Sequence, residues 1–158
     1  MQRIHGLYIR KPHMKRLREN AMNIDEVQKF LVDNHRGVLV ARKRNGSPQI
    51  TLVTPGVDAA GRVIISARKS TFKVKNLTRD PQASLLVMGE RFNGSKYFQV
   101  EGRAEIIALP DSMDLLMDFY SRTLGGKMKP EETRKKIIEE DRVIIRIEIE
   151  TVGPQNRG

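Results

Sequence analysis

The sequence predicts a mainly β domain in which an antiparallel sheet forms a small, closed or partly open barrel, with helices in the connections. Six segments carry the β-branched or alternating patterns of strands, and most of them follow one another through short turns. The longest segment contains an internal glycine, as is typical of a strand that bends at a barrel corner. Strand and helix patterns do not alternate, and no glycine-rich loop follows a strand, so a doubly wound parallel fold does not fit.

The amino-terminal part divides into a basic arm and the start of the domain. Residues 1–21 lack a sustained apolar period and are predicted to form an arm, so that a single domain covers residues 22–158. Asn23 and Glu26 have the spacing of a capping box. They predict a helix that starts at Asn23, carries an apolar stripe and ends near residues 34–37.

A meander of three strands is expected next. Residues 38–43 and 49–57 have strand patterns, and Asn45-Gly46 between them is a strong hairpin signal. A turn at residues 58–61 leads into a third strand, which opens with Val63-Ile64-Ile65. Three consecutive β-branched residues predict a strand with little solvent exposure.

Residues 61–87 predict a strand, a short basic helix and a second strand at residues 83–87. Ser70 is expected to cap the helix, and Asp80-Pro81 to end it. This segment has no acidic side chain between its first and last cation, and six basic ones: Arg62, Arg68, Lys69, Lys73, Lys75 and Arg79. A helix start surrounded by positive charge suits a bound phosphate, although a basic helix face is more often simply solvated.

The second half predicts two strands separated by two helices. Residues 96–109 form the long strand with Gly102 inside it, and Pro130 starts a helix that ends near Glu140. Residues 143–150 alternate as a strand with one wet face. The helix opened by Pro110-Asp111 and closed by Gly125-Gly126 has apolar positions at helical spacing, which we interpret as core filling: Met113, Leu116, Met117, Tyr120 and Leu124.

Charge and composition restrict the classes of function. Residues 1–20 contribute +5 and residues 62–79 contribute +6 to a net charge of +10, so the remainder sums to −1. A nucleic acid, an anionic membrane surface or a multiply charged small molecule would be attracted. The absence of cysteine favours a reducing cytoplasm, the three dispersed histidines argue against a metal site, and no apolar run approaches a membrane span.

Familiar catalytic constellations are missing. The sequence has no G-x-S-x-G, H-E-x-x-H or Walker motif and no Cys-His pair. Glu139, Glu140 and Asp141 lie at a predicted helix end and are expected to be solvated rather than paired for acid-base chemistry. No catalytic side chain is therefore assigned, and an enzyme of this sequence would take its reactivity from a cofactor.

Four runs carry a family resemblance: RGVLVARKRNGSPQITLV, D-x-x-GRVIIS, FKVKNLTRDPQASLLV and KYFQVEGRAEI. With the joint spacing of G-x-P-Q, K-x-x-N-L-x-R-D-P and V-E-G-x-A-E, residues from about 24 to 152 resemble the pyridoxamine-phosphate-oxidase-like flavin-binding split barrels. They are most similar to the branch that uses the deazaflavin coenzyme F420. The resemblance implies a mainly β fold: a six-stranded, antiparallel, Greek-key-like split β-barrel with peripheral helices.

The resemblance also implies a function. The expected protein is a cytoplasmic homodimer with cofactor sites at the interface, which transfers a hydride from reduced F420 to a small unsaturated organic acceptor. FMN is the alternative cofactor, with reductase or oxidase activity, and a non-catalytic flavin- or deazaflavin-binding protein is a further alternative. Nucleic-acid binding is disfavoured by an aromatic content of 5%.

The family pattern implies which residues contact the cofactor. The ring would lie against the strand Gln49, Ile50, Thr51, Leu52 and Val53. The phosphate would be held by Ser66, Thr71 and Lys73, with Phe72 and Asn76 beside them, and Tyr97 would face the site from the second subunit. The plainer alternatives are that Thr71 caps the helix, Asn76 is a turn residue and Tyr97 belongs to the core.

This sequence departs from the family pattern at several positions. Some deazaflavin-binding relatives carry arginine in place of Thr71 and an aromatic residue in place of Ser95. The arginine-rich carboxy-terminal segment that characterises true pyridoxamine phosphate oxidases does not follow RIEIETVGPQ. Pyridoxamine phosphate is therefore not the expected substrate.

Overall fold

A computed structural model describes residues 2–4, 7–9, 11–93, 96–125, 127–153 and 156–157. The helices are α1 (Lys11–Asp33), α2 (Phe72–Arg79), α3 (Met113–Thr123) and α4 (Pro130–Glu139). The strands are β1 (Gln2–Ile4), β2 (Leu7–Ile9), β3 (Arg36–Arg42), β4 (Pro48–Val53), β5 (Pro55–Val57), β6 (Val63–Arg68), β7 (Gln82–Met88), β8 (Lys96–Ile107), β9 (Arg142–Val152) and β10 (Asn156–Arg157). In this described part of the chain, no helix combines the length and the apolar character needed to span a membrane.

The strands form one curled antiparallel sheet. Its order is β4-β3-β7-β8-β9-β6-β5, with β10 paired to β8, whereas β1 and β2 pair only with each other. The first and last strands of this order, β4 and β5, are consecutive in sequence and are separated only by Thr54. The sheet must therefore curl so that its two edges approach each other, which confirms the split barrel.

The strand expected at residues 49–57 is wrong as a single element. The chain bends at Thr54, so that β4 pairs with β3 while β5 pairs with β6 at the opposite edge of the sheet. A proline follows the bend, and the residue before a proline is restricted in its backbone conformation. Pro55 is the first residue of β5, a position where a proline is tolerated in a strand. The bend thus turns the six expected strands into seven, and β10 makes the main sheet of the described residues eight-stranded.

The hairpin between β3 and β4 is confirmed. Arg42 pairs with Pro48, and the connecting turn places Gly46 at φ 82°, a left-handed conformation that glycine adopts without steric cost. β3 buries Gly37, Leu39 and Ala41 on one face, so the turn chemistry and the apolar alternation specify the same register.

Strand β6 is covered on both faces, which explains its run of β-branched residues. Val63 and Ile65 belong to the barrel core, whereas Ile64 packs on the outer face against a second apolar cluster formed by α3, α4 and β9. Met113 and Met117 of α3 pack against this second cluster, which confirms that the methionines fill the core. The α3–α4 pair is thereby held against the outside of the barrel.

Helix α1 is longer than expected, since it begins at Lys11 and continues through Asn23. The capping-box interpretation of Asn23 and Glu26 is wrong, because both residues lie inside the helix. A proline at the second helical position is compatible with a helix start, and Met14, Leu17 and Ala21 have helical spacing among the many charged residues of this segment. The expected division between residues 21 and 22 falls within this helix, and the role of residues 1–21 as an arm stays a prediction.

The bulge expected at Gly102 is present in the pairing of β8 with β9. Glu101 pairs with Thr151 and Gly102 with Ile149, so the extra residue of the bulge, Glu150, belongs to β9. A Cβ atom at Gly102 would collide with the backbone carbonyl oxygen of Glu148. The glycine is required here by the close approach of two backbones.

We expect Gly102→Ala to destabilise the fold by about 2 kcal/mol or more, because backbone atoms of β9 must move. The free energy of unfolding in urea measures this loss. Gly46→Ala is the matched control, since its Cβ would meet nothing within 4 Å and only the positive φ would cost about 1 kcal/mol. If both variants lost the same free energy of unfolding, the predicted collision at Gly102 would be contradicted.

Candidate functional site

A cleft of about 500 Å³ opens at the rim of the barrel, where β6 ends and α2 begins. β4 and the Thr54 bend form one wall, and α3 forms another. The cleft is lined by Leu52, Val53, Thr54, Ser66, Ala67, Arg68, Thr71, Lys73, Phe119, Tyr120, Thr123, Leu124, Lys136 and Arg142. It therefore joins residues of β4, β6, α2, α3, α4 and β9.

The structure brings five of the eleven residues expected at the cofactor into this cleft, namely Leu52, Val53, Ser66, Thr71 and Lys73, whereas Ile50 does not line it. Gln49, Phe72 and Asn76 instead line a separate cavity of about 600 Å³ beside the β3–β4 hairpin. Thr51 and Tyr97 line neither cavity.

Asn76 links α2 to the sheet. Its buried amide donates a hydrogen bond to Oε1 of Gln49 at 2.6 Å, and its Oδ1 accepts one from Arg79 at 3.0 Å. Arg79 also donates to the carbonyl oxygen of Arg42. Because Asn76 lies inside α2, the alternative that it is a turn residue is wrong. Its contacts fix the helix start against β4 and thereby shape one side of the cleft.

The first turn of α2 offers free hydrogen-bond donors. The N-cap residue is Thr71 instead of Ser70, so the expected Ser70 cap is wrong. The Thr71 hydroxyl does not cap the helix either, because it donates to the carbonyl oxygen of Arg68 at 2.8 Å. Within the described residues, the backbone N–H groups of residues 72–74 have no acceptor. These N–H groups can serve an anion.

Ser66 and Tyr120 form a hydroxyl pair across the cleft. Ile64 and Ser66 share the outer face of β6, where α3 packs, and the Ser66 Oγ lies 2.8 Å from the Tyr120 hydroxyl oxygen. Each hydroxyl has one proton, and the hydrogen bond between them uses one of the two protons. Whichever residue donates, the other hydroxyl keeps a proton for a ligand.

Four cations line the cleft: Arg68, Lys73, Lys136 and Arg142. The antiparallel register places Arg68 directly beside Arg142. Burial, followed by the nearby Arg142 charge, lowers the pKa of Lys73 from its usual value of 10.5. Among the described residues, no carboxylate forms an ion pair with Lys73. This arrangement favours an anionic ligand.

The sequence analysis missed Tyr120, Lys136 and Arg142 as site residues. Each lies more than 40 positions from Lys73 and reaches the cleft only through the packing of α3 and α4 and the pairing of β9 with β6. Conversely, Arg62 is held by Asp58 at 2.9 Å in a turn and does not line the cleft. The basic run of the sequence thus includes Arg62, which does not line the cleft, and lacks Lys136 and Arg142, which do.

Glu140 corrects the expectation that the carboxylates near the end of α4 are only solvated. Its Oε1 lies 3.0 Å from an Arg68 nitrogen, and its Oε2 lies 2.5 Å from an Arg142 nitrogen. Hydrogen bonds from Arg68 and then Arg142 lower the pKa of the Glu140 carboxyl to about 2. The carboxylate therefore stays ionised and bridges two of the cleft's cations.

The curled antiparallel sheet places the chain in the class of split-barrel proteins, and four cations line the cleft at its rim. Residues 24–156 match the family model described as pyridoxamine 5'-phosphate oxidase, and the chain belongs to this family. Its members typically bind FMN or F420, and they are mostly flavin-dependent oxidoreductases, although non-enzymatic heme-binding members exist. The expected family is confirmed, whereas the branch is not decided by this match.

Solved structures share the fold at low identity. The conserved hypothetical protein Rv2991 from Mycobacterium tuberculosis is 19% identical with a TM-score of 0.68, over 96% of this chain and 88% of that chain. An F420 reductase is 20% identical with a TM-score of 0.62, over 79% and 94%. HutZ, the heme storage protein from Vibrio cholerae, is 13% identical with a TM-score of 0.65, over 85% and 95%. Such identities establish the fold alone.

The ion bridge of Glu140 should make stability depend on pH. Because the folded pKa of about 2 is below the ordinary value of 4.5, the stabilisation is complete above pH 4.5 and is lost as the pH falls through about 2. Solvent screening limits it to about 1 kcal/mol. We expect Glu140→Gln to lower the free energy of unfolding in urea at pH 7, with the difference from wild type shrinking at pH 3. Glu139→Gln is the control, since Glu139 lies 3.7 Å from Lys135 on an exposed face. A pH-independent difference would contradict the linkage.

Proposed function

We propose that the chain is an oxidoreductase that binds coenzyme F420 through the rim cleft and passes a hydride from the reduced deazaflavin to a small unsaturated organic acceptor. The single observation that carries this proposal is the convergence of Ser66, Lys73 and the free N–H groups of α2 in one cleft. A phosphate needs several donors and positive charge, and this set supplies both.

The wall of the cleft supports a position for the ring. Leu52 and Val53 of β4 contribute apolar surface next to the phosphate-binding end, and Leu52 is 85% exposed. A planar ring on this strand would be held by backbone and apolar contacts, and the coenzyme would supply the hydride chemistry. The residues of this chain bind and orient the ring, and no side chain is assigned as a proton donor.

The fold neighbour named as an F420 reductase and the motif resemblance both favour F420 over FMN. FMN is the second candidate, because the matched family typically binds either cofactor and the two share a ring, a ribityl chain and a phosphate. The density of cations at the rim favours the more acidic F420, whose oligoglutamate tail adds negative charge.

Fluorescence titration of the cofactor-free protein with F420 and with FMN, at two salt concentrations, tests the proposal. Tighter binding of F420, weakened by salt, would support it. Tighter binding of FMN would move the assignment to a flavin enzyme, and binding of neither would overturn the cofactor proposal. Consumption of reduced F420 in the presence of candidate acceptors then tests the activity.

Lys73→Ala should weaken binding of the preferred cofactor by about 10-fold to 100-fold, since a charge-assisted contact to the phosphate is lost. Lys75→Ala is the matched control, because Lys75 lies on the same helix, carries the same charge and does not line the cleft. Titration of both variants measures the difference. Equal weakening would show that only the general positive field matters.

We propose that two copies associate through the outer face of β4. Ile50 is 65% exposed and Leu52 is 85% exposed on this edge strand, and adjacent exposed apolar side chains on a sheet edge favour an interface. In such a dimer the second copy would cover the ring end of the cleft, and Tyr97 of that copy would contribute to it. Tyr97 lies at the start of β8 and does not line the cleft of its own chain.

Leu52→Glu should convert the dimer into a monomer, because a charge would be buried in an apolar interface. Sedimentation velocity measures the mass of the species in solution. Ile138→Glu is the control, since Ile138 is 57% exposed on α4 and does not line the cleft. A wild-type protein with the mass of one chain, or a dimeric Leu52→Glu variant, would exclude this interface.

A further inference from the structure

Glu140 occupies two of the cleft's cations in the way an anionic ligand would. One carboxylate oxygen contacts Arg68, and the other accepts a hydrogen bond from Nε of Arg142 at 2.6 Å and lies 2.5 Å from its Nη2. Guanidinium groups bind carboxylates and phosphates alike through such charge-assisted contacts. The chain thus carries its own anion at the edge of the proposed phosphate site.

We propose that Glu140 is a built-in competing anion, which shares Arg68 and Arg142 with the ligand's phosphate and thereby weakens its binding and speeds its release. This inference rests on the proposed phosphate site. It concerns the residence of the cofactor: a coenzyme that is reduced elsewhere must leave the protein after each hydride transfer, whereas a permanently bound cofactor does not.

The distribution of charge supports a competing role over a purely supporting one. Glu140 contacts Arg68 and Arg142 but not Lys73, whose ammonium group has no carboxylate partner among the described residues. A phosphate at Lys73 and the start of α2 would gain the fields of both arginines if they were not already neutralised in part by Glu140. Lys136 is the remaining cation of the cleft. Ligand binding is therefore driven by the positive charge in the cleft that Glu140 does not neutralise.

The two arginines differ in solvent exposure, which bears on how they could be shared. The Arg68 side chain is 56% exposed, whereas those of Arg142 and Glu140 are 20% exposed. Turning Arg68 from Glu140 toward a ligand would break one partly solvated contact. Arg142 is held by a hydrogen bond and an ion pair to Glu140 and by its place in β9.

Glu140→Gln keeps the side-chain shape and removes its charge. We expect it to tighten FMN and F420 binding by about fivefold to tenfold, the scale of removing one like charge at a partly solvated site, chiefly through slower dissociation. Riboflavin, which lacks the phosphate, should bind equally well to the variant and to the wild type. Stopped-flow fluorescence provides the association and dissociation rates, and Glu139→Gln controls for the change in net charge.

Three results separate the possible failures. Weaker or unchanged FMN and F420 binding in folded Glu140→Gln, or equal tightening of riboflavin, would overturn the competing role. Glu140→Asp retains the charge on a shorter side chain, so binding as tight as in Glu140→Gln would also overturn it. If Lys73→Ala changes binding in neither background, the phosphate site itself is wrong; if Lys73→Ala weakens binding while Glu140→Gln does not tighten it, only the inference about Glu140 fails.

Discussion

The antiparallel pairing of β6 with β9 is the contact on which both the core and the candidate site depend. It places Ile65 beside Ile145 in the barrel interior, where both side chains are fully buried. Burying such a side chain contributes roughly 1.5–3 kcal/mol, so this pair of residues stabilises the barrel core. Its outer face carries Ile64 and Ile144 and holds α3 and α4. The same register brings the side chains of the site to the barrel rim.

This pairing also brings two positive side chains together, and a nearby carboxylate offsets their repulsion. Arg68 and Arg142 are direct neighbours across the two strands, and like charges in this position are destabilising. Asp141 turns the chain between α4 and β9 with a φ of 45°, and its carbonyl oxygen accepts a hydrogen bond from the Lys69 N–H at 3.0 Å. The turn places Glu140 between the two guanidinium groups. Three consecutive residues therefore supply a counter-ion, a turn and a cation.

Features encoded by near neighbours could be predicted from the sequence. The Asn45-Gly46 hairpin and the apolar face of α3 each depend on residues a few positions apart, and the bulge was signalled by a single glycine inside a strand pattern. Ser66, Thr71 and Lys73 were expected together from the family resemblance, and they lie in one cleft because the end of β6 leads directly into α2. The family resemblance added the barrel closure, which periodicity alone left open between a closed and a partly open form.

Features that depend on the order of the strands could not be predicted in this way. Tyr120 and Arg142 reach the cleft through contacts with β6 that join residues at least 54 positions apart. The bend at Thr54 sends two halves of one apparent strand to opposite edges of the sheet, although its residues have a continuous strand pattern. In each case the local pattern is compatible with several arrangements, and tertiary pairing selects one.

The two ends of the proposed cofactor site place different demands on the chain. The phosphate end is built within one chain by β6, α2 and β9. The contact of Asn76 with Gln49 and the pairing of β6 with β9 hold these elements in place without a second chain. The ring end rests on β4, where Leu52 is 85% exposed, so a single chain would leave much of a planar ring in water. Hydride transfer needs a fixed ring and acceptor in a sheltered site, which requires a second surface over this strand. Under the proposed function, affinity for the phosphate thus rests mainly on one chain, whereas shelter for the ring depends on association through β4.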